Sequence, residues 1–428
     1  MYPNLYYFFK DVFGISLPVF KLINAFGFFM ALSFISAAWL LKKELRRKQQ
    51  TGYFTPDQKK ITVGEKPTFY GVLPAFLWGC IVGYKLFGLL FTPAAFNTPL
   101  TYLSSPEGSV PLGISGGFVF AALRWFEIKR HALPQLQQKN ITVWPAQRVT
   151  TMALIAAVTG LLGAKLFDNI ENWHAFIQHP LASIFSATGF AFYGGLIAAT
   201  LALWYYARKR KFAFIHLCDA AAPALMFAYA VGRMGCQVAG DGDWGVINTA
   251  YLSFQDGKIG YSDPGTLDTA IAMYGNIYID EQQKGIPQKQ VKAFAGLPDW
   301  LFACSYLHNI NKAGVHAKRC TFDDYCNYLP IPVFPTPLYE IMMAIVLFTV
   351  LWALRKKIKI PGRLFALYLV LAGIERLVIE PLRVHITYHL FGLHISQAEI
   401  ISVLLVAAGA ALYLYAPHIK TGSSRVSN

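Results

Sequence analysis

The chain has 428 residues, 55% hydrophobic and only 14% charged, with a mean hydropathy of +0.40. A soluble domain carries about 25% charge, so a string of ordinary soluble domains is excluded. The formal charge of +15 would suggest nucleic acid in a soluble protein, but the basic residues sit in short clusters beside apolar runs; there they act as topology signals and anionic-lipid contacts, and nucleic acid is dropped as a partner.

The opening segment, MYPNLYYFFKDVFGISL, lacks a basic n-region and a small-residue cleavage site. It is expected to be an amphipathic arm on the outer surface rather than a signal peptide. Apolar runs of membrane-spanning length follow at 18–41, 70–92, 111–128, 149–170, 184–207, 213–236, 337–354, 363–381 and 396–415. The expected fold is therefore all-α, a polytopic membrane bundle of about nine helices with an extracytoplasmic cap. KKELRRK, EIKRH, ARKRK and RKKIK follow the first, third, fifth and seventh runs, whereas FTPAAFNTPLTYLSSPEGSVP and DNIENWHAFIQHP contain no Lys or Arg. This alternation predicts an N-terminus outside and a C-terminal tail inside.

Two helix pairs look duplicated: Gly83-Tyr84-Lys85-Leu86-Phe87 precedes Gly116-Gly117 as Gly163-Ala164-Lys165-Leu166-Phe167 precedes Gly194-Gly195. Paired glycines let helices approach closely, which is a packing role, and a duplication also raises a transporter as the lowest-ranked reading. The chain is divided into 1–245, a polar cap insertion at 246–335, and 336–428.

Ionisable residues inside membrane spans are costly and become site candidates, with plain helix pairing as the competing explanation. Lys165, Tyr193, Arg233, Glu340, Arg376 and Glu380 converge by depth, below the outer surface. Two arginines at that level suit a phosphate, and Arg376, Glu380 and Arg383 are spaced to share one helix face. Asp219, fourteen residues before Arg233, lies about 20 Å inward and is expected to be a packing partner of a residue such as Arg124. The glycine-rich run Gly232 to Gly245 closes one helix and offers turns and amides suited to an anion.

Cys80, Cys218 and Cys236 are expected to pack in helices, while Cys304, Cys320 and Cys326 should give one disulfide and one cysteine left over. Cys304, His308, His316, Cys320 and Cys326 could hold zinc in principle, but the spacing matches no familiar finger and no metal is assigned. His385, His389 and His394 line the last outer loop and are read as interfacial, although as a group near the inferred site they are also the best candidates for a histidine that works there.

Four ordered blocks resemble the prolipoprotein diacylglyceryl transferases of the bacterial cytoplasmic membrane: FYGGLIAATLALW, DAAAPALMFAYAVGRMGCQVAGDGDWG, PTPLYEIMMAIVLFTVLW, and GIERLVIEPLR with SQAEIISVLLVAAG. Phe26-Gly27 looks like the family's early aromatic-glycine motif. The resemblance implies a seven-helix core to which the second and third helices are an extra pair. It also implies transfer of diacylglyceryl from phosphatidylglycerol to the lipobox cysteine thiol of preprolipoproteins, with glycerol phosphate released and no cofactor. Arg233 and Arg376 would polarise the leaving group, Glu340 would orient the site, and Asp241 would stand for the family's acidic residue. Gly194, Gly195, Gly245, Glu380, Arg383 and Cys236 would line the substrate. Tyr193 stands where the family has His, Cys236 where it has Asn, and the turn from Gly240 to Gly245 has one extra residue. The alternative is an inert relative that binds phospholipid or lipoprotein through the same groove.

Overall fold

The computed structural model describes the chain apart from Thr55, Glu65, residues 92–101, 103–106, 134–136, 187, 188, 190, 279–286, 295, 319, 385, 386, 391, 392 and 420–428. His385 and most of the loop FTPAAFNTPLTYLSSPEGSVP therefore lie outside the described residues, as do the side chains of His389 and His394. In chain order the principal helices are α1 (Leu5–Phe13), α2 (Ala25–Gln50), α3 (Phe69–Val82), α4 (Val110–Arg130), α5 (Val149–Glu171), α6 (Phe192–Lys209), α7 (Phe214–Ala239), α8 (Pro264–Tyr274), α9 (Thr336–Leu354), α10 (Arg363–Ile379) and α11 (Gln397–Tyr415). Among the described residues six helical stretches, those containing α2, α3, α5, α7, α9 and α11, are long and apolar enough to cross a membrane. Large apolar side chains on them stay uncovered, among them Ile35 at 65%, Leu162 at 65% and Leu404 at 62% exposure. Such apolar area facing outward is that of a lipid-facing helix, and the protein is a multi-pass membrane protein.

The first span starts later than expected. Pro18–Leu22 forms a short 3-10 turn, and α2 begins only at Ala25, where the Asn24 side chain accepts from the Phe26 amide at 2.8 Å. At its far end the helix runs on through KKELRRK to Gln50, because these are good helix formers and basic residues suit a helix C-terminus.

The chain separates into two compact units. One is 18–22 with 56–143; the other comprises 1–17, 23–55 and 144–428. In the smaller unit an antiparallel ribbon joins Asp57–Val63 to Gln137–Val143, with Asp57 opposite Val143. This ribbon departs from the all-α expectation; both strands end in the β-branched run Ile-Thr-Val. Helix α3, lengthened by a π turn over Gly83–Phe87, packs on α4 through its glycines: a Cβ on Gly79 would lie 2.5 Å from the Gly116 carbonyl. Arg124 pairs with Glu127 one turn along at 2.6 Å.

In the larger unit α6 packs on α5 in the same glycine-mediated way, and α10 packs on α11. Helix α7 is the central element, touching α2, α9 and α10 with a small-residue face in which Ala222 and Ala230 meet Ala344 and Leu364. Residues 246–335 fold against these helices within the same unit, as short strand pairs and α8 around Ile247, Tyr306, Leu329, Ile331 and Val333. Cys320 and Cys326 form a disulfide, and Cys304 is free. The His308 ring stacks on Phe322 at 3.7 Å, and Tyr7 of α1 stacks on Phe322 at 4.3 Å, so the N-terminal arm is fastened to this layer. With two of the cysteines bonded to each other, the Cys/His run is not arranged as a zinc site; among the described residues no group of three metal-ligating side chains converges.

Candidate functional site

The charged cluster is assembled by the ends of three helices. Arg233 lies near the C-terminus of α7, Glu340 near the N-terminus of α9, and Arg376 in the last turn of α10. Glu340 is fully buried and central: Arg233 Nε lies 2.8 Å from one of its oxygens, while Arg383 Nη1 and Arg376 Nη1 approach the other at 3.2 and 3.4 Å. Removing one partner from a buried ion pair leaves an uncompensated charge, at a cost of about 3–5 kcal/mol. Such a carboxylate fixes three guanidiniums at once.

Arg383 reaches the cluster by a route that differs from the expected shared helix face. Pro381 has no amide hydrogen to continue the ladder, so α10 stops at Ile379, Glu380–Leu382 forms a 3-10 turn, and Arg383 is extended. Glu380 pairs back to Arg376 at 3.2 Å and accepts from Ser396 Oγ at 2.7 Å. Ser396 also opens α11 through a reciprocal capping box with Glu399.

The acid that meets the arginines from the glycine-rich turn is Asp243, not Asp241: it pairs with both Arg233 and Arg383. Asp241 lies beside the Cys236 thiol and accepts from the Asp243 amide at 3.3 Å. Burial raises its carboxyl above the ordinary value, against the opposing effects of Cys236 and Arg233. The turn is made possible by Gly240, which ends α7 at φ 63°. It is tied to α9 by Thr336 Oγ1, which donates to the Asp243 carbonyl at 3.2 Å.

The remaining candidates fall into two groups. Tyr193 stands within electrostatic reach of Arg376, Glu380 and Arg383, and Arg233 Nη1 lies 3.8 Å from Cys236 Sγ. Gly194 and Gly195 instead pack against α5, at Phe167 and the Gly160 carbonyl, while a Cβ on Gly245 would meet the Leu382 carbonyl at 2.5 Å. Gly245 thus serves the backbone clasp in which the Val246 amide donates to Leu382 O at 2.8 Å and so carries Arg383 inward. Lys165 is held by its own helix connection, donating to Ser186 Oγ at 2.6 Å and to the Gly189 carbonyl at 3.2 Å. Sequence reasoning missed Asp243 as the ion-pair partner, and missed Glu375, buried on α10 and 3.4 Å from the Tyr229 hydroxyl that donates to it. Glu375 carries the same signal as its neighbours, an acid within an apolar span.

A cavity of ≈ 360 Å³ opens onto Asp243 and Arg383, bordered by Trp244, Gly245, Ile277 and Tyr278. Chemically, the cluster offers guanidinium forks suited to phosphate oxygens, held by one buried carboxylate and faced by a second on a loop.

The chain is similar to curated proteins named phosphatidylglycerol–prolipoprotein diacylglyceryl transferase. That of Dehalococcoides mccartyi (strain CBDB1) is 26% identical over 269 residues, covering 62% of this chain and 76% of its own. That of Shouchella clausii (strain KSM-K16) is 26% identical over 305 residues, with 71% and 82% covered. For Photorhabdus laumondii subsp. laumondii the identity is 26% over 306 residues, with 70% and 85% covered. The profile of the prolipoprotein diacylglyceryl transferases matches residues 118–415. This stretch contains every member of the arginine–carboxylate cluster, and the chain belongs to the prolipoprotein diacylglyceryl transferase family.

Proposed function

We propose that this protein transfers the diacylglyceryl group of phosphatidylglycerol to the lipobox cysteine thiol of preprolipoproteins. The observation that carries the reading is the convergence of Arg233, Arg376 and Arg383 on buried Glu340, within the part of the chain that matches the family. In the reaction the acceptor sulfur bonds to the glyceryl carbon, the bond from that carbon to the phosphate oxygen breaks, and the thiol proton is lost as glycerol phosphate departs. The nucleophile comes from the substrate, so no cysteine of this chain is consumed. The arginines stabilise charge that develops on the leaving phosphate, while Glu340 holds them in place. Asp243, at 27% exposure the most accessible acid of the cluster, is the carboxylate that an incoming phosphate displaces. The basic clusters closing α2, α4 and α6, read by the positive-inside rule as cytoplasmic, support a site on the outer side and a C-terminus inside.

The test is transfer from labelled phosphatidylglycerol to a lipobox peptide in detergent. Arg376→Ala should lower the rate by at least about 100-fold, as loss of one transition-state donor does elsewhere. Arg376→Lys should remain well below wild type because it keeps charge without the fork. Wild-type rates in both variants would overturn the reading.

A further inference from the structure

At the opposite end of α7 a second group of charged residues surrounds a pocket of ≈ 260 Å³. It is built where the C-terminus of α2 meets the N-terminus of α7 and the connection from α9 to α10: Arg47 and Lys48 come from the first, His216 and Asp219 from the second, Arg355, Lys356 and Lys359 from the third. The KKELRRK and RKKIK clusters, which topology alone would scatter along the membrane surface, thus close on one space.

The acids nearby are already engaged. Glu44, buried on α2, pairs with Arg47 at 2.5 Å and with Arg355 at 3.3 Å. Asp219 accepts from Lys48 at 3.3 Å and from the first amides of α10, Gly362 at 2.9 Å and Phe365 at 3.0 Å. Five basic side chains line the pocket against those two carboxylates, and Lys356 and Lys359 are exposed beside it. His216 supplies an independent sign. It is 1% exposed, its ring packs against Tyr53 and Phe54 at 5.0 and 5.7 Å, and neither ring nitrogen has a hydrogen-bond partner among the described residues. A histidine that served only to fill this aromatic niche would leave two polar atoms unsatisfied, where a phenyl ring would leave none. Next to the pocket, Lys43 lies over the rings of both Trp39 and Trp352, the arrangement of residues at a membrane–water boundary.

We propose that this pocket is a second anion site, distinct from the arginine–glutamate cluster, that takes a phosphate group at the other membrane surface. Its volume admits a phosphate with a glycerol-sized substituent, so the phosphate belongs either to an anionic lipid headgroup or to a small soluble phosphate.

The full chain in phosphatidylcholine nanodiscs provides the test, with thermal melting followed as inorganic phosphate is titrated, and separately as phosphatidic acid replaces part of the phosphatidylcholine. One of these additions should raise the melting temperature: phosphate alone identifies a soluble ligand, and phosphatidic acid alone a headgroup. Lys356→Ala/Lys359→Ala alters exposed side chains only and should weaken the apparent affinity about thirtyfold, since each of the two lysines near an anionic surface contributes about 1 kcal/mol. His216→Phe keeps the ring packing and removes the nitrogens. Weakening in either variant supports the site. No shift with either addition, or wild-type affinity in both variants, overturns it.

Discussion

Arg233 and Arg383 share two carboxylates, buried Glu340 and the more exposed Asp243, and the second of these makes a kinetic prediction at the level of single residues. If phosphate competes with Asp243 for these guanidiniums, Asp243→Asn should lower KM for phosphatidylglycerol about tenfold, the equivalent of ~1.4 kcal/mol. Steady-state transfer kinetics with varied lipid would read this, and an unchanged or higher KM would reject the competition. Asp241 behaves differently, because burial raises its carboxyl in the folded protein. Below about pH 3.9 the group is protonated whether the chain is folded or not, and burial carries no charge penalty. As pH rises past that value the unfolded chain ionises first and stability falls, and the loss persists once the folded group ionises too. Asp241→Asn, which cannot ionise, should therefore melt higher than wild type at pH 7, with the difference vanishing at low pH. Arg233, Glu340, Arg376 and Glu380 were legible in the sequence because charge inside an apolar run is conspicuous. Asp243 was not: Asp241 and Asp243 each follow a glycine in the same turn, and only the path of the chain selects between them.

At the scale of elements, Pro381 decides where Arg383 goes. Pro381→Ala should let α10 continue past Ile379, turning Arg383 away from Asp243 and Glu340 while leaving Arg376 in place. Misplacement of a positioning group by an ångström can cost about 100-fold, and a drop of that order is expected in transfer, with helical content by circular dichroism unchanged or slightly raised. Undiminished transfer would mean that Arg383 is dispensable. The long helices were legible from their apolar runs, since a segment near 20 residues without charge has few alternatives. The ribbon at 57–63 and 137–143 was not, although its signal is present: Gln-Lys-Lys-Ile-Thr-Val in one strand is echoed as Gln-Lys-Asn-Ile-Thr-Val in the other. Both strings are polar and short beside the helices, so a search tuned to membrane spans passes over them. They extend the duplication seen in the glycine-packed helix pairs, since each precedes one of them.

For the whole molecule, the ribbon has a structural consequence. Because Asp57 pairs with Val143, the chain enters and leaves the 56–143 segment through neighbouring residues, and between them α3 and α4 pack on each other. Replacing 56–143 by a short Gly/Ser linker should preserve the arginine–carboxylate cluster, all of whose members lie in the other unit, and measurable transfer should persist. Complete loss from a correctly inserted protein would assign that segment a part in the reaction. The order of residues in the cluster also bears on biogenesis. Arg233 leaves the ribosome about a hundred residues before Glu340, which at roughly 5–20 residues per second is a delay of about 5–20 s. During that interval the arginine on α7 has no glutamate from α9 to receive it. Asp243, only a turn beyond the helix, is the first acid to emerge that the finished structure pairs with Arg233, so the carboxylate proposed to yield to substrate is also placed to receive this arginine during membrane insertion.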